Sequence, residues 1–184
     1  DAEGGPYGFS YSIVDINAFG GMGTVTVKNV LLAYPTTEKI AVCNDADSGV
    51  WVLTHGWNST SFYAYHLTSF GLGAVPVVSS VGPYIHGALT NAAGYMKCDT
   101  YGNRIAIANR DAHEIFIMDY DNNTGVVSNP IQLNVPSLGN GCYGIEFSPN
   151  GNVLYGSLFS WSLFQWDLSS GIDSIINASQ ISLN

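Results

Sequence analysis

Few side chains in this sequence could do chemistry. His55, His66, His86 and His113 lie 11, 20 and 27 residues apart. None has the short His-x-x-x-His or His-Glu-x-x-His spacing that sets two metal ligands on one helical face. His66 reads as a strand-end residue that binds a turn amide. Asp119-Tyr120-Asp121-Asn122-Asn123-Thr124-Gly125 offers alternating carboxylate and amide oxygens of the kind a hard cation takes, with Asp119, Asp121 and Asn123 as the calcium candidates. Its glycine comes one place late for a calcium loop and no distal glutamate follows, so the stretch reads first as a hairpin turn. No nucleophile elbow, phosphate-cradling loop or Cys/His pair in a recognisable context is present, and no cofactor is expected.

Binding residues stand out more than catalytic ones. Aromatic side chains crowd two stretches, around Trp51 to Tyr65 and Phe159 to Trp166. Strand alternation sends most of them into packing between sheets. Trp57 and Trp161 fall in polar Gly/Ser/Asn loops and are expected to be exposed, where an aromatic ring can stack on a sugar or anchor a protein. His55, beside Trp57, joins them as a ligand-binding candidate. Glu146, the only charged residue of its strand, is expected to line a central channel.

The elements that position these residues recur. Short runs of Val, Ile, Tyr, Phe, Trp and Thr alternate with Gly, Asn, Asp and Pro clusters, which is an all-β pattern. Gly144-Ile145-Glu146-Phe147-Ser148-Pro149-Asn150-Gly151-Asn152-Val153 and Gly94-Tyr95-Met96-Lys97-Cys98-Asp99-Thr100-Tyr101-Gly102-Asn103-Arg104-Ile105 share one plan, a strand, a Gly-Asn turn and a second strand. Lys39 to Leu53 is a looser copy. A marker closes the third strand of each unit, at Asp15, His66, Asp119 and Asp167, spaced 51, 53 and 48 residues. Fourth strands are expected at Thr24 to Leu32, Ala74 to Val81, Gly125 to Leu133 and Ile175 to Leu183. The period predicts a β-propeller of four-stranded antiparallel blades, of WD-repeat, kelch or lactonase-like size. Residues 1–184 then form one propeller segment with an incomplete ring: strands C and D of a first blade (1–33), then blades at 34–83, 84–136 and 137–184.

Cys43 and Cys98 occupy equivalent places in the repeat, aligned with Phe147, and are expected to be small buried apolar groups, too far apart for the ~7 Å Cα limit of a disulfide. With Cys142 they make three, an odd number that is no disulfide framework.

The charge balance narrows the partners. Five Lys and Arg against 14 Asp and Glu leave −9 in 184 residues. That excludes a phosphate-backbone partner, and no nucleic acid is expected. Anionic membrane surfaces are disfavoured for the same reason. No apolar run approaches the ~20 residues of a spanning helix, so membrane insertion is not expected, and Asp1-Ala2-Glu3-Gly4-Gly5-Pro6 lacks the regions of a signal peptide. The three Asn-x-Ser/Thr matches, at Asn58, Asn122 and Asn177, are short patterns that arise by chance.

Tyr11-Ser12-Ile13-Val14-Asp15, Thr54-His55-Gly56-Trp57-Asn58, Asp119-Tyr120-Asp121-Asn122-Asn123-Thr124-Gly125 and Tyr143-Gly144-Ile145-Glu146-Phe147-Ser148-Pro149-Asn150-Gly151 occur in an order that resembles the N-terminal propeller of large Bacteroidota surface proteins. Such proteins carry adhesin modules and a gliding-motility-associated, type IX secretion sorting domain. The resemblance implies an extracellular or outer-membrane-associated location and further blades on both sides. The reading that follows is a non-enzymatic scaffold for protein interaction, adhesion or assembly. Its partners would be another protein, the remaining blades of a parent chain or surface glycans, reached in part through open sheet edges. A carbohydrate-binding propeller and a lactonase-like or glycan-cleaving enzyme are the alternatives.

Overall fold

A computed structural model describes residues 7–136, 141–159 and 161–183. The N-terminal stretch read above for a signal peptide lies outside them. No helix among the described residues is long and apolar enough to cross a membrane.

The chain forms four antiparallel sheets in sequence order. The first is a hairpin, β1 (Phe9–Asp15) with β2 (Thr24–Ala33). The second holds β3 (Thr36–Asn44), β4 (Val50–Gly56) and β5 (Ser59–Thr68), with β6 (Gly71–Leu72) and β7 (Val77–Ile85) both pairing β5. The third runs β8 (Met96–Cys98), β9 (Arg104–Asn109), β10 (Glu114–Asp121), β11 (Val126–Leu133). The fourth runs β12 (Cys142–Phe147), β13 (Val153–Leu158), β14 (Leu163–Asp167), β15 (Ile181–Ser182).

Two cores lie between the stacked sheets. Trp51, Leu53, Phe62, Ile105, Ile107 and Met118 fill the space between the second and third sheets. Ala106, Ala108, Ile115, Leu154, Phe164 and Trp166 fill that between the third and fourth. β9 serves both, because successive side chains point to opposite faces. Its two isoleucines face one core and its two buried alanines the other. Each fully buried isoleucine contributes about 2 kcal/mol of transfer free energy.

The expected WD-, kelch- or lactonase-type propeller is corrected by this arrangement. The four sheets are separate and open, and none closes or curls into a ring. They hold two, five, four and four strands rather than a uniform four. A sequence repeat specifies how strands pair within a unit. Closure also needs the outermost units to bury their faces on each other, and Ile13, Val14 and Leu31 of the first sheet and Ile181 of the last remain exposed.

Two further expectations change. The strand expected from Ile175 to Leu183 is a helix, Asp173–Ala178, followed by the two-residue β15. Ile172, Ile175 and Ile176 recur at helical spacing, Ile176 N–H donates to Ile172 O at 2.9 Å, and Ile176 is buried in the second core. Cys43 and Cys98 are joined in a disulfide, with Cα atoms 5.5 Å apart, inside the reach that the repeat spacing was expected to exceed. β3 and β8 are the first strands of neighbouring sheets, and these converge at the inner edge of the stack.

Candidate functional site

The first strands of the third and fourth sheets carry an exposed row of polar and aromatic side chains. Lys97 Nζ, on β8, donates to Glu146 Oε2, on β12, at 2.8 Å. Lys97 also lies 5.5 Å from the centre of the Tyr95 ring. Tyr95 leans on Tyr143 with centroids 5.4 Å apart, and Tyr143 meets Phe159 edge-on at 5.3 Å. Arg110 lies over the Phe159 ring, 4.3 Å from its centroid, with its Nε 3.8 Å from Asp111 Oδ1.

Backbone contacts hold this row. Tyr95 N–H donates to Tyr143 O at 2.9 Å, which ties the third and fourth sheets, and Ala108 N–H donates to Tyr95 O at 2.9 Å within the third. Gly94 makes the approach possible. At φ +113° it has a backbone that L side chains rarely adopt, and a Cβ there would stand 2.4 Å from Ala108 O. Strand alternation then decides which side chains meet solvent. Met96 is buried while its neighbour Lys97 points outward. Glu146 is 60% exposed.

A second lysine has the opposite fate. Lys39, on β3, is 2% exposed. Its Nζ donates to Ala93 O and Ala108 O at 2.6 Å and to Gly94 O at 3.3 Å. Burial pulls its pKa from 10.5 down to about 7, partly opposed by Glu38. Three carbonyls match the three donors of an ammonium, so Lys39 is a polar pin between the second and third sheets.

The sequence candidates fall at scattered places. His55 is fully buried. One ring nitrogen, Nδ1, lies 2.8 Å from Gly56 O and its ring meets Phe62 edge-on at 4.6 Å. Burial lowers its pKa to about 4, opposed by the Gly56 contact and helped by Lys39. Trp57, expected to be exposed, is buried, because Asn58 takes a left-handed backbone and the turn folds the indole back into the core. Trp161 is 92% exposed. Of the ligand-binding candidates, only Glu146 stands in the inner-edge row.

The calcium candidates serve the turn. Asp121 accepts from Asn123 N–H at 2.9 Å and Thr124 Oγ1 at 2.8 Å, and these bonds hold its carboxyl below the ordinary range. Asp119 accepts from Asn129 Nδ2 at 2.8 Å instead. His66 meets the Asp45 carboxylate at 2.5 Å rather than a turn amide, and stacks on Trp51 at 4.4 Å. His86 stacks on Tyr84, and His113 Nε2 accepts from Gly141 N–H. Among the described residues, no group of three His, Cys, Asp or Glu is placed to hold a metal ion.

Sequence reasoning passed over Lys97, Arg110, Tyr95 and Tyr143. Of five cationic residues in the chain, Lys97, Arg104 and Arg110 all lie at or beside an end of a first or second strand; Lys97 and Arg110 lie over aromatic rings while Arg104 donates to Gly151 O, so strand position did not single the pair out.

No family model matches the chain, and no curated protein matches it. Solved structures do. A protein from Lactobacillus plantarum aligns at TM-score 0.58 and 16% identity, over 95% of this chain and 50% of its own. A hydrazine synthase from Kuenenia stuttgartiensis aligns at 0.52 and 17%, over 87% and 41%. A putative 6-phosphogluconolactonase from Bacteroides fragilis aligns at 0.51 and 12%, over 78% and 37%. The chain spans half or less of the length of each. At these identities the likeness concerns the fold. It corrects the resemblance to Bacteroidota surface propellers, and with it the WD-repeat, adhesion and gliding-motility reading. Two of these three structures are named as enzymes, so the non-enzymatic scaffold reading loses its basis.

Proposed function

We propose that this chain is part of a lactonase-like hydrolase that opens a sugar-derived lactone at the inner edge of the sheet stack. The observation that carries this reading is the exposed Lys97–Glu146 pair, 2.8 Å apart and bridging two sheets beside Tyr95 and Tyr143. A fold neighbour named as a putative 6-phosphogluconolactonase supports it.

The two charges suit the two demands of ester cleavage. Glu146 as a carboxylate takes a proton from water, and the resulting hydroxide attacks the lactone carbonyl carbon. Lys97 as an ammonium stabilises the oxyanion that forms there. Collapse of that intermediate breaks the ring C–O bond, and the leaving alkoxide recovers the proton from Glu146. The product is the open hydroxy acid. A flat ring face resting on Tyr95 and Tyr143 places the carbonyl beside the pair.

The test is pH-stat turnover of gluconolactone and its 6-phosphate, corrected for spontaneous opening. Activity above background that falls about 100-fold in Glu146→Gln supports the reading, in line with the usual size of a general-base contribution. Background rates with the unaltered chain, or a Glu146→Gln variant that retains full activity, overturn it.

The compartment belongs to the same proposal. An oxidising one suits the Cys43–Cys98 disulfide. Alkylation of the denatured chain from its native source should then modify Cys142 alone before reduction and all three cysteines after it.

A further inference from the structure

The charge beside the inner-edge pair restricts what can be seated there. Glu38, Lys39, Ile40, Tyr95, Met96 and Lys97 line an open cleft of about 360 Å³ between β3 and β8. Tyr95 and Lys97 belong to one wall, so the cleft adjoins the Lys97–Glu146 pair. β3 supplies the other wall. Glu38 and Ile40 are exposed on the outward parity of that strand, with Lys39 buried between them. A lactone ring resting on Tyr95 with its carbonyl at Lys97 has this cleft alongside, and the side arm of the ring enters it. There the arm meets Ile40, 53% exposed, and the Glu38 carboxylate.

Every Lys and Arg of the chain is placed elsewhere or occupied. The five are Lys28, Lys39, Lys97, Arg104 and Arg110. Lys28 lies on the first sheet, which lends no side chain to this cleft. Lys39 donates to three backbone carbonyls from its buried site. Lys97 holds Glu146, Arg104 donates to Gly151 O, and Arg110 lies over Phe159 with Asp111 beside it. A phosphate gives up its water for charged or forked N–H donors. In this cleft it would find one ammonium set between the carboxylates of Glu38 and Glu146. The Glu38 charge also reaches the floor of the cleft: burial lowers the pKa of Lys39, and Glu38 is the group that opposes the fall. A hydroxyl suits the same carboxylate, because it donates where a phosphate dianion only accepts.

We propose that the site prefers a lactone with an uncharged, hydroxyl-bearing side arm over the same lactone phosphorylated on that arm, and that Glu38 sets the preference by accepting from the hydroxyl and repelling the phosphate. The inference rests on the lactone-opening reading and adds a specificity-determining residue to it.

The experiment compares kcat/KM for gluconolactone and for its 6-phosphate, in the 184-residue chain and in Glu38→Gln, at about 0.15 M and about 1 M salt. The expected result is a preference of at least tenfold for the neutral lactone at the lower salt, expressed mainly in KM. It should narrow to within about threefold in Glu38→Gln, and also at the higher salt, where the screening length falls to ~3 Å. Glu38 is exposed, so its replacement leaves the cores intact. A general loss of structure would lower both rates alike, whereas the ratio reads the carboxylate itself. Turnover of the phosphate equal to or above that of the neutral lactone overturns the proposal and leaves lactone opening standing. An unchanged ratio in Glu38→Gln does the same. Turnover of neither substrate by the unaltered chain overturns both.

Discussion

Lys39 and Lys97 sit on the first strands of adjacent sheets and lead opposite lives. Lys39 occupies a position of the same parity as Ala41 and Cys43, and all three are buried. Lys97 falls between Met96 and Cys98 on the outward parity of its strand, and reaches Glu146 in solvent. One place along a strand decides whether an ammonium is a structural pin or a chemical group. Desolvation of Lys39 outweighs what its three carbonyl acceptors return, and its pKa falls to about 7 as a result. Lys97 is partly exposed, beside one carboxylate and the Tyr95 ring.

That contrast can be broken by substitution. Lys39→Met should destabilise the chain by about 4 kcal/mol, because the Gly94 and Ala108 carbonyls lose the lysine donor at a buried site, while Ala93 O keeps a long bond from Arg110 N–H at 3.4 Å. Urea unfolding measures this, and a loss under 1 kcal/mol would mean that the carbonyls find other partners.

Acid should act on the buried partner of Lys39 next. The folded pKa of His55, about 4, lies below its ordinary 6.5. Between these values the unfolded chain holds more protons, so stability present above pH 6.5 is lost as pH falls toward 4, by about 3 kcal/mol in all. His55→Gln should flatten that part of the pH profile. Lys39 acts in the same direction at higher pH. Its folded value near 7, below 10.5, makes stability rise with pH across that window. In Lys39→Met that rise should disappear.

Gly125 sharpens the comparison from the turn side of the same interface. It holds φ +76°, and a Cβ would lie 2.7 Å from the Trp51 ring. Gly125→Ala should cost about 2 kcal/mol in thermal or urea unfolding. The smallest effect belongs to Lys97→Met, expected within about 0.5 kcal/mol of the unaltered chain because exposed ion pairs contribute little. The same variant should lose lactone turnover, the reverse of a pin.

The site was only partly legible in the residues. Glu146 was identified as an inner-strand charge because its strand holds no other, and that needs nothing beyond alternation. Its partner Lys97 could not be found that way, since the two residues lie on different sheets and their distance depends on how those sheets stack. Trp57 and Trp161 look alike in sequence, each in a polar loop. The turn at Asn58 folds one indole into the core, while the backbone at Trp161 holds the other outward. Cys43 and Cys98 show the same limit. Their equivalence in the repeat was plain, and their 5.5 Å Cα separation was not.

The residues by themselves determined an all-β chain of recurring antiparallel units with Gly-Asn and Asp-Asn turns, because strand propensity, alternation and turn chemistry are local. They also determined the charge that argues against nucleic acid. The open arrangement of the sheets, the helix at Asp173–Ala178, the disulfide and the Lys97–Glu146 pair were decided by tertiary structure. Each depends on the distance and angle between whole sheets, or on a core that rewards burying Ile176, and no local pattern encodes those terms.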